Sequence, residues 1–182
     1  MNTPTNIILQ HCLDLLKRND DLELNLQLIC EQLNQEMKHY NWVGFYFMNE
    51  PNQTLHLGPF TGAPTEHKII PYGKGICGQV ALSGETYLAP DITTEGNYIA
   101  CSIDVKSEIV LPLYVKDTLV AQLDIDSHTV NAFNEKDEAL LGEMLAAISR
   151  TFPTEILKLR NKLIANHIPE RMASTGLSLD AK

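Results

Sequence analysis

A thiol and three carboxylic acids supply most of the chemistry this sequence offers. In NYIACSIDVKSEIVLP, residues 97–112, Cys101 stands in a polar segment and Glu108 opens an apolar run. Strand interiors disfavour carboxylates, and a thiol among polar residues meets reagents that a core thiol never sees. Farther on, LDID (123–126) alternates Leu123 and Ile125 with Asp124 and Asp126. A strand there would aim both aspartates to one face, because side chains alternate with a period of two. Glu108 begins the neighbouring run of the same expected hairpin, so three acids could converge over one sheet face. Crowded carboxylates repel, which raises at least one pKa and keeps a proton available. The plain alternative is a row of acids on a solvated sheet face, with a spare cysteine beside it.

A second thiol, Cys77, sits in GKGICGQ (73–79), just ahead of an expected short helix. Glycines let the backbone turn tightly, and the exposed N–H groups of a helix start favour a nearby thiolate. The GxxxxGK[ST] spacing of a phosphate loop is absent. A redox role and a buried structural role both fit this pattern.

The elements that must position these groups follow from periodicity. Residues 5–18 place Ile8, Cys12, Leu15 and Leu16 on one helical stripe, and residues 21–38 repeat it with Leu22, Leu26, Ile29, Leu33 and Met37. Asn19, Asp20 and Asp21 read as a turn that caps the second helix. WVGFYFMN (42–49) and TLHLGPF (54–60) read as a hairpin around EPNQ, and SEIVLPLYV (107–115) and TLVAQLDID (118–126) as another around Lys116 and Asp117. Asn134 with Asp137 opens a helix over 134–152 that Pro153 kinks or ends. A further amphipathic piece spans 156–164, and the polar tail after Pro169 is expected to be flexible. Paired strands with helices outside them predict an α+β domain: an antiparallel sheet with helices on one face and loops over a small-molecule pocket on the other. Residues 1–40 are expected to pack on a core at 41–152, with 153–182 as an extension.

Net charge is −9 with no basic run, which argues against nucleic acid or an anionic membrane as partner. The apolar pieces near the start are broken by Gln10, His11 and Asp14, so neither a signal peptide nor a membrane span is expected. Cys12, Cys30, Cys77 and Cys101 are expected to be thiols of a reducing, cytoplasmic compartment, with Cys12 and Cys30 in helix packing. No CxxC or Cys/His cluster has zinc spacing, and neither a metal nor a cofactor is expected.

Six short motifs occur in register: NWVGFYF, LGPF-x-G, P-x-GKG-x-CG, IAC, SEIVLP and LDIDS. Together they resemble the free methionine-(R)-sulfoxide reductase family of the GAF-domain superfamily, over residues 42 to about 150. The resemblance implies a GAF-like fold and a homodimer formed through the helical layer. It implies that Cys101 is the thiol that attacks the sulfoxide and is left as a sulfenic acid. Glu108, Asp124 and Asp126 match the acids that hold the substrate's amino group and sulfoxide oxygen and supply protons, and Trp42 and Tyr46 match aromatic residues of the pocket. A second cysteine condenses with the sulfenic acid, and thioredoxin reduces the disulfide. Family members carry a further cysteine ten residues before the Cys77 position, where this chain has His67. Beside the usual GHIACD it reads GNYIACS. Cys77 as resolving thiol, direct reduction by a small thiol, and a non-catalytic GAF module that binds a ligand or senses redox state all stay open.

Overall fold

The structure, a computed structural model, describes residues 4–18, 20–96 and 104–166. Two helices, α1 (Pro4–Leu15) and α2 (Leu22–Glu36), precede the strands β1 (Trp42–Asn49), β2 (Thr54–Thr61) and the short β3 (Ile69–Pro71). Then come α3 (Gly75–Ser83), β4 (Tyr87–Ala89), β5 (Ser107–Val115), β6 (Thr118–Ser127), α4 (Glu135–Thr151) and α5 (Pro153–Asn166). The strands described form one sheet in the order β3-β2-β1-β6-β5-β4, antiparallel at every junction. The expected α+β architecture and both expected hairpins are present. β3 and β4, three residues each, were not expected.

The turns follow from local chemistry. Asp21 caps α2 by accepting from the Leu24 N–H at 3.2 Å. In the β1–β2 connection Gln53 takes the left-handed conformation, φ 51°, and Lys116 does the same between β5 and β6, φ 54°. Thr151 ends α4, and Pro153 opens α5, a position where its missing N–H costs nothing.

Helices α1, α2, α4 and α5 cover one face of the sheet. There Val43, Phe45, Phe47, Ile109, Leu111, Leu123 and Ile125 meet Cys12, Leu26, Ile29, Cys30, Leu33, Leu141, Met144, Ile148 and Ile156, all buried. Cys12 and Cys30 thus pack as their stripes predict. The opposite face is not left to loops alone. α3 lies on it, burying Ile76, Cys77 and Val80 against Tyr46, Met48 and Val110. β1 is buried along its whole length because both its faces are covered, which is why WVGFYFMN shows no polar alternation.

α4 is fixed at its start by a buried acid. Asn134 and Asp137 form a reciprocal capping box, and Asp137 also accepts from the Tyr40 hydroxyl at 2.8 Å. Asn134→Ala should cost about 1 kcal/mol in urea unfolding. Asp137→Ala should cost about 2–4 kcal/mol, because it also leaves the Tyr40 hydroxyl buried without its acceptor. Equal losses in the two variants would show that the Tyr40 bond contributes nothing.

Candidate functional site

Strand register brings the sequence-predicted acids together. Glu108 on β5 stands opposite Asp126 on β6, and Asp126 stands opposite Trp42 on β1. One step along the same face, Asp124 faces Val110 and Gly44, and Gln122 faces Tyr46. Glu108, Asp124, Asp126, Trp42 and Tyr46 therefore share the sheet face that carries α3. The row is not solvated: Glu108 is 4 % exposed, and Asp124 and Asp126 are 2 % exposed.

Burial and mutual repulsion govern the protons here. Loss of water pushes the Glu108 carboxyl well above its ordinary range, and the charges of Asp124 and Asp126 push it further. Asp126 is raised well above its range by burial and then by Asp124. Asp124 is raised to about 7 by burial, held back by hydrogen bonds from Cys77 and Glu108. A hydrogen bond joins the Glu108 and Asp124 carboxyls, and burial and crowding favour keeping a proton between them. Oδ1 of Asp124 and Oδ1 of Asp126 have no hydrogen-bond partner among the described residues.

The aromatic wall depends on an absent side chain. Trp42 stacks on Phe60 with ring centroids 5.5 Å apart and lies 6.2 Å from Tyr46. A Cβ on Gly44 would collide with the indole of Trp42, so glycine is what lets the ring lie across the strand. The polar tips of both aromatics are tied to the segment beyond β2. Trp42 Nε1 donates to the Ala63 carbonyl at 3.1 Å, and the Tyr46 hydroxyl donates to the His67 carbonyl at 2.9 Å.

Two cavities open onto the acids. One of about 90 Å³ is lined by Trp42, Thr65, Asp104, Val105, Asp126 and His128. The other, about 10 Å³, lies between α3 and the sheet and is lined by Cys77, Glu108, Asp124 and Lys74 among others. Larger grooves of about 360 and 490 Å³ run along α4 and β5 and along α2 and β2, away from the acids. Cys77 is buried at 4 % exposure, lining the same small cavity as Glu108 and Asp124. Cys101 lies outside the described residues.

Sequence reasoning missed Gln122, whose Nε2 donates to the Cys77 carbonyl at 3.1 Å and fastens α3 to the sheet. Its signal was available: Gln122 extends the alternation of LDID one step back on the same face. Asp104 and His128 in the wall of the larger cavity were also missed, and isolated loop residues carry no periodic signal.

Comparison with known proteins adds four findings. A model of the GAF domain family matches residues 19–152. The free methionine-R-sulfoxide reductase of Escherichia coli is 35% identical over 122 residues, 67% of this chain and 72% of that protein. GAF domain-containing protein A of Dictyostelium discoideum is 40% identical over 111 residues, 61% of this chain and 69% of that one. Among solved structures, free methionine-R-sulfoxide reductase from Neisseria meningitidis in complex with its substrate matches with a TM-score of 0.77 and 29% identity. That match covers 87% of this chain and 90% of that one.

Proposed function

The chain belongs to the GAF domain family, and from that premise we propose that it reduces free methionine (R)-sulfoxide to methionine. The observation that carries this reading is the gathering of Glu108, Asp124 and Asp126 with Trp42 and Tyr46 on one buried face. Three buried acids crowded on one face favour a cationic occupant and an acceptor of protons. The ammonium of a free amino acid meets the first need and a sulfoxide oxygen the second.

In this reading the Cys101 thiolate attacks the sulfoxide sulfur, while Glu108 or Asp126 protonates the oxygen. Methionine leaves with its sulfur reduced by two electrons, and the oxygen stays on Cys101 as a sulfenic acid. A second thiol, assigned to Cys77, displaces that oxygen as water and forms a disulfide, which thioredoxin reduces. Asp124 and Glu108 hold the ammonium, and Trp42 and Tyr46 wall the methyl end of the side chain. We place the protein in the cytoplasm as a homodimer. Cys12, Cys30 and Cys77 are not joined in disulfides among the described residues, and no helix of the described residues is long and apolar enough to cross a membrane.

With thioredoxin, its reductase and NADPH, the protein should consume only the R half of a racemic free sulfoxide and ignore peptide-bound sulfoxide. Buried acids that pair with an amino group leave no place for a preceding residue. Absence of stoichiometric methionine release, with Cys101 shown reduced by mass spectrometry, would sink the catalytic reading. One observation favours a non-catalytic module instead: His67 stands where the family's further cysteine is expected. Light scattering tests the dimer.

A further inference from the structure

We propose that Cys77, Glu108 and Asp124 form a binding site for a zinc-type divalent cation on the floor of the acid cluster, where the ion acts as an inhibitor. Sγ of Cys77 and one carboxylate oxygen from each acid all lie within 4.8 Å of one another, and all three residues are buried. Donors around a tetrahedral zinc stand about 3.5 Å apart, given its bond lengths of about 2.0–2.3 Å, so modest side-chain movement closes the set. The cavity they line measures about 10 Å³, room for about one water-sized sphere and therefore for a bare ion.

An independent feature also points to a ligand. Asp124 lines this cavity, is 2 % exposed, and keeps Oδ1 without a hydrogen-bond partner among the described residues. A thiol among the donors selects zinc and its neighbours over magnesium and calcium, which prefer oxygen alone. On binding, the ion takes the place of the Cys77 thiol proton and of the proton held between Glu108 and Asp124, and both protons go to solvent. Lys74, at the edge of the cavity, is exposed to water, which screens its charge. The three ligands come from α3, β5 and β6, so no sequence spacing announces them.

Binding rests on the geometry alone; only the inhibition rests on the reductase reading. Cobalt(II), titrated into the reduced full-length chain, should give a thiolate-to-cobalt charge-transfer band. The band should persist in Cys101→Ser and vanish in Cys77→Ser, with unchanged circular dichroism in both. Asp124→Asn should weaken cobalt binding about a hundredfold or more. Magnesium should neither bind nor compete. Zinc should slow turnover of free methionine sulfoxide with thioredoxin, and a chelator should restore it. No cobalt binding, or a band that survives Cys77→Ser, overturns the site. A cobalt band that disappears with Cys101→Ser places the ion on the other thiol and overturns it as well. A chain that binds cobalt through Cys77 but reduces no sulfoxide refutes the reductase reading and leaves the metal site standing.

Discussion

Cys101→Ser is expected to abolish even the first turnover of free methionine (R)-sulfoxide. Serine keeps the shape but replaces a thiol, which ionises near neutral pH, with a hydroxyl that does not, and it has no sulfur to carry the transferred oxygen. Methionine released per chain in a single-turnover assay should fall from about one to none, a larger loss than any change in proton supply can produce. Cys77→Ser behaves differently if Cys77 is the resolving thiol. It should release one methionine and stall with a sulfenic acid on Cys101, trapped by a dimedone-type reagent and read by mass. Continued cycling of Cys77→Ser with thioredoxin would remove Cys77 from that role. One methionine from Cys101→Ser would remove Cys101 from the reaction.

Replacing an acid of the cluster should lower activity and raise stability together, over a defined pH range. Asp126→Asn or Glu108→Gln should reduce kcat/KM by about 10²–10⁴, the usual contribution of a positioned acid. The stability effect has the opposite direction. Each of these carboxyls has a folded pKa raised above its unfolded value. Its neutral form therefore stabilises the fold fully below the unfolded value, and that contribution is lost as pH rises through the folded value. For Asp124 the window runs from 3.8 to about 7. A shift of three units corresponds to about 4 kcal/mol at most, and coupling to Glu108 spreads it between the two groups. Urea unfolding should show the wild type less stable at pH 8 than at pH 5, with Asp124→Asn more stable than wild type at pH 8. If Asp124→Asn only destabilises at pH 8, the acids are held ionised by something other than the arrangement seen here.

The coupling of these effects explains why the site is built as it is. Free energy that a hydrophobic trio would contribute to folding is withheld at neutral pH, and under the proposed function a cationic substrate that lets the carboxylates ionise would recover it on binding. Gly44 belongs to the same arrangement. It gives up strand propensity so that Trp42 can lie across β1 beside Asp126.

Local patterns determined much of this protein without any tertiary information. The two hairpins, the helical stripes of α1, α2 and α4, and the caps at Asp21 and Asn134 were legible because each depends on residues within a turn or a strand length of one another. The same holds for the common facing of Asp124 and Asp126, which is a consequence of period two alone. Six motifs in register carried the family, which periodicity could not. Tertiary structure alone decided the rest. β3 and β4 are too short to show a period and exist as strands only by pairing with β2 and β5. The burial of the acids required α3 to lie on their face, held there by Gln122, and α3 shows no apolar stripe that would have announced it. The meeting of Cys77 with Glu108 and Asp124 joins three separate elements. Proton positions follow from that meeting, because a carboxyl's pKa is set by lost water and neighbouring charge, and neither is written in the order of residues along a chain.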